Sequence, residues 1–271
     1  MKNIDIIIIS QSEVVRYEQY ATMPIERIEL FKNLVQLRMI YYENGFRSHL
    51  DILNKARFGK YFHEAPFEEK RNMFSIWNLP GANAIIAATP LIKAGYNVQI
   101  INNFDAELYL LSAWAKDMKR TIIAFSTTFV LQWSEIGRVC GKIHKLVPGA
   151  EIVLGGAFIN DQHLNGGSAV FEKPMKKYRI KYSLFSFNSE HDFLSLINVL
   201  YRNEGTLSEV NNLAYFSDDG QYHVTAEIWN DPKMDECMEV GVLVDKSIPA
   251  KTVQIRTASG CPFGCAFCNY P

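Results

Sequence analysis

Ile4-Asp5-Ile6-Ile7-Ile8-Ile9 is a β-branched run that decides how the rest of the chain is read. It is too short to cross a bilayer as a helix and too continuously apolar for a strand with one wet face. A strand buried on both faces belongs to a parallel sheet sandwiched between helices. Runs of the same character recur at Tyr96 to Ile101, Thr121 to Phe125 and Glu151 to Leu154, and Tyr182 to Phe187 predicts a fifth strand.

Helical patterns fill the gaps. Leu79-Pro80-Gly81 opens one that runs to Lys93 and stops at Gly95, with Pro90 inside it as a site for a kink. Asp105 to Lys119 and Leu131 to Leu146 supply two more, the second closed by Pro148-Gly149. Ser189 with Asp192 three residues on predicts a capping box for a helix ending near Gly205. Alternating strands and helices make right-handed crossovers, so residues 1–205 are expected to form a Rossmann-like, doubly wound parallel α/β sheet. About seventy residues separate the first two strand runs, against the dozen or so a crossover needs. Residues 11–75 therefore read as a helical insertion: Ile25, Ile28, Phe31, Leu34 and Val35 keep one face apolar, and Ser48 with Asp51 starts another helix.

Past Gly205 the pattern changes. Leu213 to Phe216 and Tyr222 to Thr225, joined through Asp218-Asp219-Gly220, predict a β-hairpin, and the acidic stretch Asn230 to Asp245 a linker, so that 206–250 connects two domains. Thr252 to Arg256 then alternates as a strand and leads into a cysteine cluster, so 251–271 reads as the start of a second domain.

Charge and composition narrow the function. With 28 basic and 29 acidic residues the net charge is −1, which argues against a protein that binds duplexes by neutralising phosphates. No apolar run approaches the ~18 residues of a membrane span, and Asp5 interrupts what a signal peptide would keep apolar, so a cytoplasmic protein is expected. Of the five cysteines, Cys140 and Cys237 stand alone and read as packing residues, while Cys261, Cys265 and Cys268 crowd together. Their spacing, C-x3-C-x2-C, brings three thiolates into one short loop that can hold three irons of a [4Fe–4S] cluster and leave the fourth iron open. Gly260 and Gly264 let the backbone wrap closely and Pro262 stiffens it. The competing assignments are a zinc site, which lacks a fourth ligand at suitable spacing, and a redox pair at Cys265 and Cys268, which has no use for Cys261.

The run Gly260 to Pro271, including Phe267 just before the third cysteine, resembles the signature of radical S-adenosylmethionine enzymes. Many members carry Arg where Ser259 stands, a departure that leaves the ligands intact. The resemblance implies that Cys261, Cys265 and Cys268 bind the cluster, that S-adenosylmethionine chelates its open iron, and that Phe267 lines the adenine site through its backbone. It also implies a reductant such as a flavodoxin or ferredoxin. Leu79-Pro80-Gly81-Ala82, Ala94 to Val98, Phe125 to Phe129 and Ile152 to Gly156 together resemble the cobalamin-binding domain that precedes the barrel in one class of these enzymes. Ser126-Thr127-Thr128 and Gly155-Gly156 follow strands, at the carboxyl ends where an open α/β sheet binds ligands, so Leu79, Pro80, Gly81, Ser126, Thr127, Thr128, Gly155 and Gly156 are the candidate cobalamin contacts.

Cobalamin domains that ligate cobalt from below use Asp-x-His-x-x-Gly after the first strand, where this chain has Gln11-Ser12-Glu13-Val14-Val15. Asp161 to Gly166 matches that pattern in another place, so His163 reads as a polar loop residue, and Glu190 with His191 as an ordinary helix start. The expectation is the N-terminal part of a cobalamin-dependent radical enzyme that methylates an unactivated carbon of a small molecule or peptide, inactive without the rest of its barrel. The alternative is a cobalamin- or partner-binding Rossmann module with an incomplete cluster loop.

Overall fold

A computed structural model of the chain describes residues 3–12, 39–66, 69, 72–74, 81–105 and 107–230. The chain divides into two compact units, one holding 39–74 of these and the other the remainder. The opening run is β1, Ile4–Gln11, and Ile6, Ile7 and Ile9 are fully buried in it.

The 39–74 unit corrects the expectation of an all-helical insertion over 11–75. Met39–Tyr42 (β2) and Gly45–Ser48 (β3) pair antiparallel, with Glu43 and Asn44 both at positive φ between them. Tyr41-Tyr42 and Phe46 suit a pleated surface, and Asn44 tolerates the left-handed backbone a tight hairpin needs, which Glu43 before it also adopts. The helix start read at Ser48 does occur: α1 spans His49–Phe58, the Ser48 hydroxyl accepts from the Asp51 amide at 3.1 Å, and Gly59 at φ 73 ends it. Asn54 ties this unit together by bonding both backbone groups of Phe74. The apolar face predicted at Ile25, Ile28, Phe31, Leu34 and Val35 lies outside the described residues.

In the larger unit follow α2 (Ala82–Lys93), β4 (Val98–Asn103), α3 (Leu108–Trp114), β5 (Met118–Ser126), α4 (Trp133–Leu146) and β6 (Glu151–Gly155). Then come α5 (Ala157–Gly166), α6 (Glu172–Tyr178), β7 (Tyr182–Leu184), α7 (Glu190–Arg202), β8 (Leu213–Phe216) and β9 (Tyr222–Val224). The sheet order is β4-β1-β5-β6-β7-β8-β9; the first five strands are parallel and the last two antiparallel. Strand order therefore reverses between β1 and β5, the kind of switch point where the loops leaving adjacent strands diverge and open a crevice. Both faces are covered, as the continuous apolar runs require. On one face α3, α4 and α5 bury Leu111, Ile136, Val139, Ile143 and Phe158, and on the other α2 and α7 bury Ile85, Leu91, Phe193 and Leu196.

Two expectations change here. Instead of standing outside the Rossmann-like domain, β8 pairs with β7, so the sheet runs on past residue 205. Leu213 and Ala214 face opposite cores, and burying both faces of β8 is what fastens it to the sheet. The capping box at Ser189 does not form, because Asp192 is buried and its carboxylate accepts instead from the Asn212 and Asn230 side-chain amides, at 2.8 and 2.6 Å.

Candidate functional site

A cavity of about 490 Å³ lies at the carboxyl edge of the sheet. Ile8, Ala124, Val153 and Leu184 form apolar floor from β1, β5, β6 and β7, and Ala82, Asn83, Ser189 and Glu190 bring in the first turns of α2 and α7. In a doubly wound sheet every helix that follows a strand starts at this edge, so unsatisfied amide donors and positive helix ends gather round the space.

The rim is built by strand ends that carry small and hydroxylated residues. Ser126 and Thr128 line the cavity and share a hydrogen bond at 3.0 Å, and Asn83 donates to both the Ser126 hydroxyl and the Ser10 carbonyl. Thr127, between them, turns inward: it is fully buried, its hydroxyl and amide both donate to the Gly155 carbonyl, and it knits β5 to β6 without lining the cavity. The two glycines also differ. Gly156 sits at φ 110, and a Cβ there would come within 3.1 Å of the Thr127 amide nitrogen, so any side chain at this turn is strained. Gly155 lines the cavity with nothing nearer than Leu184 at 3.9 Å from where a Cβ would stand, so its missing side chain leaves space. Gly81 caps the start of α2 and donates its amide to the Ser10 hydroxyl.

Four further residues line the space, three of them with no sequence signal of their own. Asn160 is 3% exposed on α5, and among the described residues its Oδ1 has no hydrogen-bond partner. Asn83, Asn188 and Trp229 also line the space. An asparagine directly after Ala157-Phe158-Ile159 was the one available hint, since an amide inside an apolar helix turn needs a reason.

Leu79, Pro80, Phe267, Cys237 and the cluster cysteines Cys261, Cys265 and Cys268 lie outside the described residues. Among the described residues no group of three or more His, Cys, Asp or Glu could hold a metal. His163 belongs to helix α5 and not to a loop, because the chain re-enters a helix directly after Gly156. Its ring packs 4.4 Å from that of Phe185 and its Nε2 meets the Glu227 carboxylate at 3.1 Å, and it does not line the cavity. Cys140 is buried on α4, and burial pushes its thiol up to about 12, as befits a packing residue.

A charged cluster stands at the same edge on the other face. Asp105 accepts from Arg138 and from Lys142, the latter at 2.8 Å, and Arg138 also holds Glu135. Burial raises the Asp105 carboxyl, but the two cations outweigh it and hold it down to about 2. These charges satisfy one another and brace α4 against the β4 exit. Among the described residues that line the cavity, Glu190, at the start of α7, carries the one titratable side chain.

Fold and site thus define an open, doubly wound α/β domain with a crevice beside its switch point. Scanned against known protein families the chain matches none, and no curated protein matches it. Among solved structures it is similar to the cobalamin-dependent S-adenosylmethionine radical enzyme OxsB with aqua-cobalamin bound, at 11% identity over 84% of this chain and 23% of that one, with a TM-score of 0.45. It is similar also to the same enzyme with aqua-cobalamin and S-adenosylmethionine bound, at 13% identity, 67% and 28% coverage and TM-score 0.43. Against the apo, selenomethionine-labelled form the values are 14%, 66%, 24% and 0.48. The chain spans about a quarter of the length of these structures. Among the described residues no helix is long and apolar enough to cross a membrane.

Proposed function

We propose that this chain is the cobalamin-binding and cluster-bearing part of a cobalamin-dependent radical S-adenosylmethionine enzyme, and that the whole enzyme methylates an unactivated carbon. The observation that carries the proposal is the cavity: four of the residues assigned to cobalamin by resemblance, Ser126, Thr128, Gly155 and Gly156, line one space at the carboxyl edge. The same chain bears the C-x3-C-x2-C loop.

The residues fit the cofactor's nucleotide tail. Apolar walls from Ile8, Val153, Leu184 and Phe193 suit a flat aromatic base, Gly155 leaves the space open, and Asn160, which lines it, has a buried carbonyl oxygen without a partner among the described residues. Cobalamin when bound would supply a transferable methyl group, and the cluster with S-adenosylmethionine the radical that activates the substrate carbon. The chain's own tasks are to hold and to exclude. Ser126, Thr128 and Asn83 present a fixed hydroxyl and amide rim, the apolar floor keeps water out, and Cys261, Cys265 and Cys268 would ligate three irons. His163 is engaged by Glu227 and Phe185 and does not line the cavity, so it is not among the residues that would hold cobalamin there.

Hydroxocobalamin titration tests the cavity: wild type should bind and Gly155→Leu should not. Electron paramagnetic resonance of the Co(II) form should lack nitrogen superhyperfine splitting from His163; splitting that vanishes in His163→Ala would overturn the axial assignment. Anaerobic reconstitution should give about four irons per chain, lost on changing any cluster cysteine to Ala. Full iron content in the triple Ala variant would sink the cluster, and absence of any cobalamin binding would favour a partner-binding module.

A further inference from the structure

Trp229 lines the cavity yet is 64% exposed, on a segment that follows β9 without regular secondary structure. A loose segment would let such an indole wander, but this one is clasped on both sides of it. Before it, the Asn212 side chain pairs with both backbone groups of Ile228, accepting from its amide at 2.9 Å and donating to its carbonyl at 3.0 Å. After it, Asn230 donates to Asp192 at 2.6 Å, and its own carbonyl accepts from Asn188 at 2.8 Å. Asp192 also accepts from Asn212, so one carboxylate joins both halves of the clasp. That carboxylate is 5% exposed and forms no salt bridge among the described residues. Burying a carboxylate is a costly way to fasten a surface segment, since burial pushes its pKa up against the Asn212 and Asn230 amides and the His191 charge that hold it down, and Asn212 is in addition held at φ 55. The cost makes sense where position matters: residues 228 and 230 are fixed while the indole between them is left bare.

We propose that Trp229 is the closing wall of the cavity, set to stack on a planar conjugated ring of the occupant, and that Asp192 is its positioning residue. This deepens the cobalamin proposal and rests on the cavity being a ligand site. Two features give the occupant its chemistry. The indole face and apolar floor ask for a flat ring, and the unpartnered Oδ1 of buried Asn160 asks for an N–H or O–H donor. Cobalamin offers a benzimidazole ring and amide donors. Flavin mononucleotide, which suits this strand order in general, offers an isoalloxazine and a ring N–H.

The test follows the Trp229 emission, taken as the difference between wild type and Trp229→Phe because the chain has four tryptophans. In the unliganded protein Asp192→Ala should make that emission about twofold more quenchable by acrylamide. Asn230→Ala, which leaves the core intact, should do the same if Asp192→Ala fails to fold. Titration with hydroxocobalamin, and separately with flavin mononucleotide, should quench Trp229 on binding of one of them. Trp229→Ala should weaken that ligand about tenfold, Trp229→Phe by threefold or less, and Asn230→Ala about as much as Trp229→Ala although residue 230 does not line the cavity. Quenching by the flavin alone would remove the cobalamin proposal and leave this one standing. Cobalamin bound equally well by Trp229→Ala would do the reverse. Unchanged acrylamide quenching in Asn230→Ala, or no quenching of Trp229 by either ligand, overturns the inference.

Discussion

The two ends of the one sheet are built to opposite rules. At the amino edge Arg120 and Glu151, near the starts of β5 and β6, lock in a two-pronged ion pair at 2.7 and 2.8 Å. The Tyr182 hydroxyl joins Glu151 at 3.0 Å, and Arg120 spends a further donor on the Leu200 carbonyl. Tyr201 from α7 reaches the carbonyls of Asp5 and Arg120. Burial pushes the Glu151 carboxyl up, but Arg120 outweighs it and holds it low. At the carboxyl edge the same strands end in Ser126, Gly155 and Leu184 and leave a cavity. Long, mutually satisfied side chains close one end, whereas small residues whose hydrogen bonds run sideways keep the other open. The same strands thus close the sheet at one end and leave a cavity at the other.

The contrast can be broken most severely at Gly156, where the carboxyl edge itself depends on folding. Gly156→Val places a Cβ against backbone nitrogen at φ 110 and should destabilise by about 3 kcal/mol or more in denaturant unfolding. A smaller loss would mean that the β6–α5 turn can be rebuilt. Glu151→Ala comes next. It strands Arg120 and Tyr182, and since the pair is partly exposed about 2 kcal/mol is expected, with ligand affinity unchanged. An affinity change would join the two ends that the comparison separates.

Asp105 sharpens the comparison through pH. Its carboxyl titrates near 3.8 when free and near 2 when folded, so the native state takes up its proton later. The stability it contributes is complete above about pH 4 and is lost as pH falls toward 2. Asp105→Asn should therefore cost about 1–2 kcal/mol at neutral pH and flatten the acid limb of the stability curve between those values. An unchanged acid limb would remove Asp105 from the bracing of α4. The smallest effect belongs to Gly155→Ala, whose new methyl meets nothing closer than 3.9 Å. Stability should shift by no more than about 0.5 kcal/mol while cobalamin affinity falls, and a loss like that of Gly156→Val would abolish the distinction between the two glycines.

Much of this was legible in the chain because it rests on local chemistry. Continuous β-branched runs mark strands buried on both faces, and all five parallel strands formed where Ile4 to Ile9 and its counterparts predicted. Ser126, Thr128 and Gly155 could be picked out as edge residues because a doubly wound sheet fixes which strand end faces the ligand side. The β2–β3 hairpin was missed because Tyr42-Glu43-Asn44-Gly45 lies inside a long interval judged by helical periodicity, where four residues of turn chemistry were outweighed.

By itself the sequence determined the alternating architecture, the C-x3-C-x2-C spacing of Cys261, Cys265 and Cys268, and which strand ends share the carboxyl edge, since periodicity and spacing act within a few residues. Only the tertiary structure decided that β8 and β9 extend the sheet, that Thr127 turns into the fold while Ser126, Gly155 and Gly156 line the space, and that Asp192 abandons its helix cap for Asn212 and Asn230. Each of these depends on which side of the backbone meets a partner 20 or more positions away, and such pairings arise when the layers pack.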